Sequence, residues 1–125
     1  AVRGGRISKW VAPIANGLGL TPLAKIKDGR LKVCGALFGA KNVPVRLARY
    51  VAAQVPKGYQ WRLVVGHCDA KASAETLLQA LQDRLAITQY WITETGPAIG
   101  AHAGPGALVV SLQVVGSVES EGDRP

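Results

Sequence analysis

The sequence predicts an α/β fold, a two-layer sandwich with a mixed sheet, and three observations carry that expectation. Asp28-Gly29 stands between two alternating runs, "TPLAKIK" and "RLKVCG", a strong signal for a tight hairpin. The compact apolar run "WRLVVGHC" at 61–68 has the composition of a central strand. From there the order strand, helix, strand, strand places a helix against a sheet whose strands cannot all be antiparallel.

Along the chain, "SKWVAPIANGL" (8–18) offers Ser8 as an N-cap and puts Trp10, Val11, Ile14 and Leu18 at helical spacing, so a short helix is expected there, ended by Gly17 and Gly19. The Asp28-Gly29 hairpin follows. Asn42 is then placed to cap a helix with Pro44 in its first turn and Val43, Leu47, Val51 and Val55 on one face. After the 61–68 strand, "ASAETLLQALQDRLA" predicts a helix capped at Ser73, with Leu77, Leu78, Leu81 and Leu85 inward and Gln79, Gln82 and Asp83 outward. "ITQYWITE" and "GALVVSLQVVG" read as the last two strands. Residues 1–116 form one expected domain and 117–125 a polar tail.

A chain of 125 residues with 48% apolar content can bury a core without disulfides or metal. It has no run of about 18 apolar residues that would read as a membrane span. The opening "AVRGGRISKW" lacks the apolar segment of a secretory signal, so a cytoplasmic location is expected. Cys34 and Cys68 lie in apolar surroundings without CxxC spacing and are expected to be buried thiols. The net charge of +7 permits an acidic partner. Its cations are scattered, however, and no aromatic alternates with them as a base-stacking platform requires. Lys25 and Lys27, alternating with Ala24 and Ile26, read as a solvated strand face.

"ETGPAIGAHAGPGAL" (94–108) gathers four glycines and two prolines around one of only two histidines, His102. It lacks the lysine and hydroxyl of a phosphate loop, and Val109 stands where a dinucleotide fingerprint needs its third glycine. The serines include no GxSxG, so no catalytic triad is read. "HCD" at 67–69 does not form a metal site, because neighbours on a strand point to opposite faces, and these are read as ordinary strand-end residues. Two readings of His102 stay open on pattern alone: a histidine satisfied at a strand end, or a ring offering one hydrogen bond to the polar end of a ligand.

Three segments in order, "RGGRIS" (3–8), "DGRLKV" (28–33) and "GPAIGAHAGPGAL" (96–108), resemble the C-terminal domain of the DegV family of bacterial fatty-acid-binding proteins. The H-x-GPG element is the most specific of them. The resemblance implies the C-terminal lobe of a two-lobed protein that encloses one long-chain fatty acid and presents its carboxylate to a fatty acid kinase, which performs the acyl-phosphate chemistry; no cofactor is implied. By the same resemblance, His102 lies at the head group with Gly100, Gly104 and Gly106, and Trp10, Val11, Ile14 and Leu18 are candidates for the wall along the acyl tail. Arg6 and Lys41 are candidates for contacts with the other lobe or the kinase.

The family's remaining head-group ligands, a serine and a threonine, come from an N-terminal lobe that is expected to be absent from this chain. Ala36, Phe38 and Ala40 stand where the family typically carries a basic run, leaving Lys41. Two other readings are weighed beside the lipid module. One is the substrate lobe of a dihydroxyacetone-kinase-like enzyme, whose fold is similar and which holds a small ketone on a histidine. The other is a basic nucleic-acid-binding domain.

Overall fold

A computed structural model describes residues 7–13, 19–27, 29–39, 41–95 and 106–118. It contains, in chain order, β1 (Ile7–Ala12), β2 (Leu20–Lys27), β3 (Arg30–Phe38), α1 (Val43–Gln54), β4 (Tyr59–His67), α2 (Lys71–Gln82), β5 (Ala86–Glu94) and β6 (Leu108–Ser117). The strands form one sheet in the order β3-β2-β1-β6-β4-β5. Only the β4/β5 pair is parallel, so the sheet is mixed as expected.

Both helices pack against one face. Trp10, Leu23, Leu63, Val65, Val110 and Leu112 from the sheet meet Leu47, Val51, Leu77 and Leu81 from the helices in a single core. Each such side chain contributes about 1.5–3 kcal/mol by leaving water. The period-2 alternation of β4 places Leu63 and Val65 in that core beside Leu112 and Val110 of β6. The hairpin is as predicted: Lys27 pairs with Arg30 across a two-residue connection, and Gly29 takes the positive φ of 76° that glycine supplies without strain.

Over 8–12 the predicted 8–18 helix is instead strand β1, and its residues 14–18 lie outside the described residues. The strand sits between β2 and β6, pairing Trp10 with Lys25 on one side and with Val110 on the other. Pro13 would have lain inside that helix, where it removes a hydrogen bond and clashes with the preceding turn; here it follows the strand's last residue. Local spacing lost to pairing on both edges.

Both proposed caps also differ. Asn42 precedes α1 in the left-handed region at φ 55° and makes no side-chain cap. Helix α2 begins at Lys71 after Ala70, so Ser73 lies inside the first turn. Leu77 and Leu81 of α2 are fully buried, whereas Leu78 and, beyond the end of the helix, Leu85 are only partly so.

The cysteines are not buried. Leu23 pairs with Gly35 and Ala24 with Val33, which leaves Cys34 as the extra residue of a bulge on the edge strand, and it is exposed. Cys68 is half-buried just past the end of β4. Lys25 does not simply face solvent: its ammonium lies 5.4 Å from the centre of the Trp10 ring.

Candidate functional site

Strand directions concentrate the connections. Since β2 and β6 run against β1, β3, β4 and β5, the carboxyl ends of those four strands lie along one edge of the sheet. The links from β1 to β2, β3 to α1, β4 to α2 and β5 to β6 all leave from that edge. Strand carboxyl ends are where open α/β sheets receive ligands.

The β5–β6 link carries the glycine-rich segment, and its two described flanks are tied to the end of β4. On the incoming side, the Thr95 amide and hydroxyl donate to the main-chain oxygen of His67 at 2.8 and 3.1 Å. On the outgoing side, the Gly106 amide donates to the Cys68 oxygen at 2.6 Å, and the Cys68 amide to the Ala107 oxygen at 3.0 Å. Gly106 holds φ at 96°, which accounts for the last glycine of the motif. Gly66 is required for a different reason: a Cβ there would come within 2.8 Å of Thr95 Cγ2.

His67 is itself 6% exposed. Its Nδ1 accepts the Ala70 amide hydrogen at 3.0 Å, at the entry to α2, which puts the ring proton on Nε2. Glu94 is beside it, with Oε1 at 3.7 Å from Nδ1 and Oε2 accepting the Asp69 amide at 2.8 Å. Asp69 takes φ 53°, so the chain turns sharply between strand and helix. Sequence reasoning missed this junction. The available signal was a histidine beside a glycine at the end of an apolar run.

The candidate residues fare unequally. His102, Gly100 and Gly104 lie outside the described residues, as do Ile14, Leu18, Arg6 and Ala40. Trp10 is buried in the core, with its indole N–H unpaired among the described residues. Val11 follows it on a strand and faces the other side of the sheet, so the two do not form one stripe. Lys41 is exposed beside the start of α1, and its carbonyl accepts Arg46 Nη1 at 3.2 Å. Phe38 is exposed at the end of the edge strand. Among the described residues no group of three His, Cys, Asp or Glu side chains could hold a metal, and no helix is long and apolar enough to cross a membrane.

A family model described as "Uncharacterised protein, DegV family" matches residues 2–114. The chain belongs to the DegV family. A DegV domain-containing protein of Streptomyces coelicolor is 33% identical over 109 residues, covering 86% of this chain and 38% of that protein. The fatty acid-binding protein of Thermotoga maritima is 27% identical over 114 residues, covering 91% and 40%. The chain thus spans about two fifths of the length of these curated relatives.

Solved DegV structures share the fold. The crystal structure of a DegV lipid binding protein from Thermotoga maritima superposes with a TM-score of 0.75 at 20% identity, over 89% of this chain and 44% of that one. The fatty acid kinase B3 protein of Streptococcus pneumoniae, loaded with linoleic acid, gives 0.69 at 12% identity, over 86% and 45%.

Proposed function

We propose that this chain is the C-terminal lobe, residues 1–116, of a cytoplasmic fatty-acid-binding protein. It holds the carboxylate end of a long-chain acid at the carboxyl edge of the sheet. The observation that carries this reading is the double anchoring of the glycine-rich segment that contains H-x-GPG: Thr95 before the motif and Gly106 at its end are both fastened to the end of β4. Family membership and the fatty-acid-binding relative supply the ligand class. His102 offers the polar handle, and Gly100, Gly104 and Gly106 let main chain approach the head group. Of the tail candidates, Trp10 is taken up by the core between sheet and helices, and Val11, Ile14 and Leu18 border the tail.

A lobe contributing one histidine gives the carboxylate few of the charge-assisted hydrogen bonds worth about 1.5–3 kcal/mol each. Tight binding therefore depends on a second lobe, which Arg6 contacts. The acyl-phosphate chemistry belongs to a partner kinase met through the surface around Lys41, a step supported by the fatty acid kinase B3 likeness. Among these residues no nucleophile or base is needed, because the lobe presents a substrate and does not transform it.

Native mass spectrometry of the protein carrying this chain tests the reading. A copurifying C16–C18 acid is expected, and His102→Ala should weaken its binding by roughly ten- to a hundredfold without loss of fold. Absence of an acid together with ketone adducts would turn the assignment toward the dihydroxyacetone-kinase-like lobe.

A further inference from the structure

We propose that His67 is a positioning residue for the head-group end of the site, acting through the backbone it joins and not by touching the ligand. The inference rests on the fatty-acid reading. The sequence gives no reason to tie His67 to the ligand, and as an ordinary strand-end residue it would have no effect on binding.

The geometry points the other way. Within four residues, 67–70, the chain makes the hydrogen bonds that tie Thr95, Gly106 and Ala107, at the flanks of the glycine segment, to the end of β4. The His67 oxygen takes two hydrogens from Thr95, and Cys68 pairs with Gly106 and Ala107. The Asp69 amide is held by Glu94, the last residue of β5. What sets the path of these four residues is the His67 ring, which is buried and accepts the Ala70 amide. Without that acceptor the Ala70 N–H at the entry to α2 loses its partner, and the turn that carries Cys68 loses its tie to the buried ring. Gly66 and Thr95 complete the joint, since only a glycine at 66 admits the Thr95 methyl. Any displacement of this turn reaches both ends of the segment that contains His102.

The side-chain acceptor can be exchanged atom by atom. In His67→Asn, the amide oxygen replaces Nδ1 as partner of the Ala70 N–H; in His67→Gln, the amide occupies the Nε2 position instead; His67→Phe keeps the ring volume and has no acceptor. In the full-length protein, His67→Phe is expected to weaken hexadecanoic acid binding about tenfold and to speed hydrogen exchange in peptides spanning 94–107, while central β4 and β6 amides stay protected. His67→Asn should restore both. Affinity of His67→Phe within about twofold of wild type, or rescue by Gln and not by Asn, overturns the inference.

If His67→Phe does not fold, Thr95→Val removes the hydroxyl contact from the opposite side of the joint. The same pairing of faster local exchange and weaker acid binding is expected, and unchanged affinity overturns the proposal. A wild-type protein that binds no long-chain acid removes the fatty-acid reading and this inference together, whereas acid binding indifferent to both variants removes this inference alone.

Discussion

Thr95 gives its amide and its hydroxyl to one acceptor, the main-chain oxygen of His67, at 2.8 and 3.1 Å. The bifurcated contact holds the last described residue before the glycine segment against the end of the neighbouring strand. It depends on the absence of a side chain at Gly66.

Gly66→Ala is therefore expected to be costly. Its methyl would meet Thr95 Cγ2 at 2.8 Å and Val109 Cβ at 3.4 Å, so Thr95 must withdraw or the strands must separate. Overpacking of this kind costs about 1–3 kcal/mol, measurable as a lowered urea midpoint. Adding Thr95→Ser, which deletes the clashing methyl and keeps the hydroxyl, should recover most of the loss. Unchanged stability of Gly66→Ala would mean the two strand ends do not approach as described.

A second expectation concerns Trp10. Its indole N–H is buried and unpaired among the described residues, a condition that costs about 1–3 kcal/mol for a polar group taken out of water. Trp10→Phe removes that donor while keeping an aromatic ring under the Lys25 ammonium. The relief offsets part of the lost apolar burial, so the net destabilisation should stay below the about 3–5 kcal/mol expected of Trp10→Ala. Equal losses in chemical denaturation for the two variants would contradict an unpaired N–H.

The element pattern was legible wherever local and tertiary preferences agree. Asp28-Gly29 dictates a turn, and Leu77 and Leu81 face inward whether α2 is considered alone or in the sheet. The segment 8–18 reads as a helix because Trp10 and Val11 satisfy a helical stripe as well as they satisfy the strand, buried on both faces, that 8–12 forms. Pairing with β2 and β6, which decides between them, is not written in that segment. Asn42 and Ser73 are good caps by residue type, yet the described turns place Asn42 in a left-handed conformation and start α2 two residues before Ser73. The site divided in the same way. Glycines and a histidine mark 94–108, but the residues that fasten its flanks are 66–70, some 25 to 40 residues earlier in sequence, and only the parallel β4/β5 and antiparallel β4/β6 registers bring them together.

Tyr50 supplies a pH-dependent prediction. Its hydroxyl donates to the Cys34 oxygen at 3.1 Å, and its ring covers Gly35. Hydrogen bonding with the Cys34 side chain, then burial, then the coulombic effect of Cys34 push the phenol from 10.0 up to about 12. A phenol whose pKa is raised on folding stabilises the fold fully below about 10, and that contribution fades as pH climbs toward about 12. Tyr50→Phe should lose the alkaline-most step in the phenolate absorbance titration and flatten stability over that window. An unchanged titration would show that Tyr50 is not held against Cys34.

The last prediction separates charge from hydrogen bonding at Glu94. Its Oε1 lies 3.7 Å from His67 Nδ1, but that nitrogen already accepts the Ala70 hydrogen, so the pair is not an ion pair while the ring is neutral. The working contact is Oε2 with the Asp69 amide at 2.8 Å. Glu94→Gln keeps an oxygen acceptor there and should leave stability unchanged, whereas Glu94→Ala strands the Asp69 N–H and costs about 0.5–1.5 kcal/mol. The carboxylate also stands at the sheet edge proposed for a fatty-acid head group, where a second negative charge is unfavourable. Glu94→Gln should therefore bind hexadecanoic acid at least as tightly as wild type at low ionic strength, and the advantage should shrink with added salt. Weaker binding by Glu94→Gln with stability intact would mean that the charge itself is needed, and would move the head group away from the end of β4.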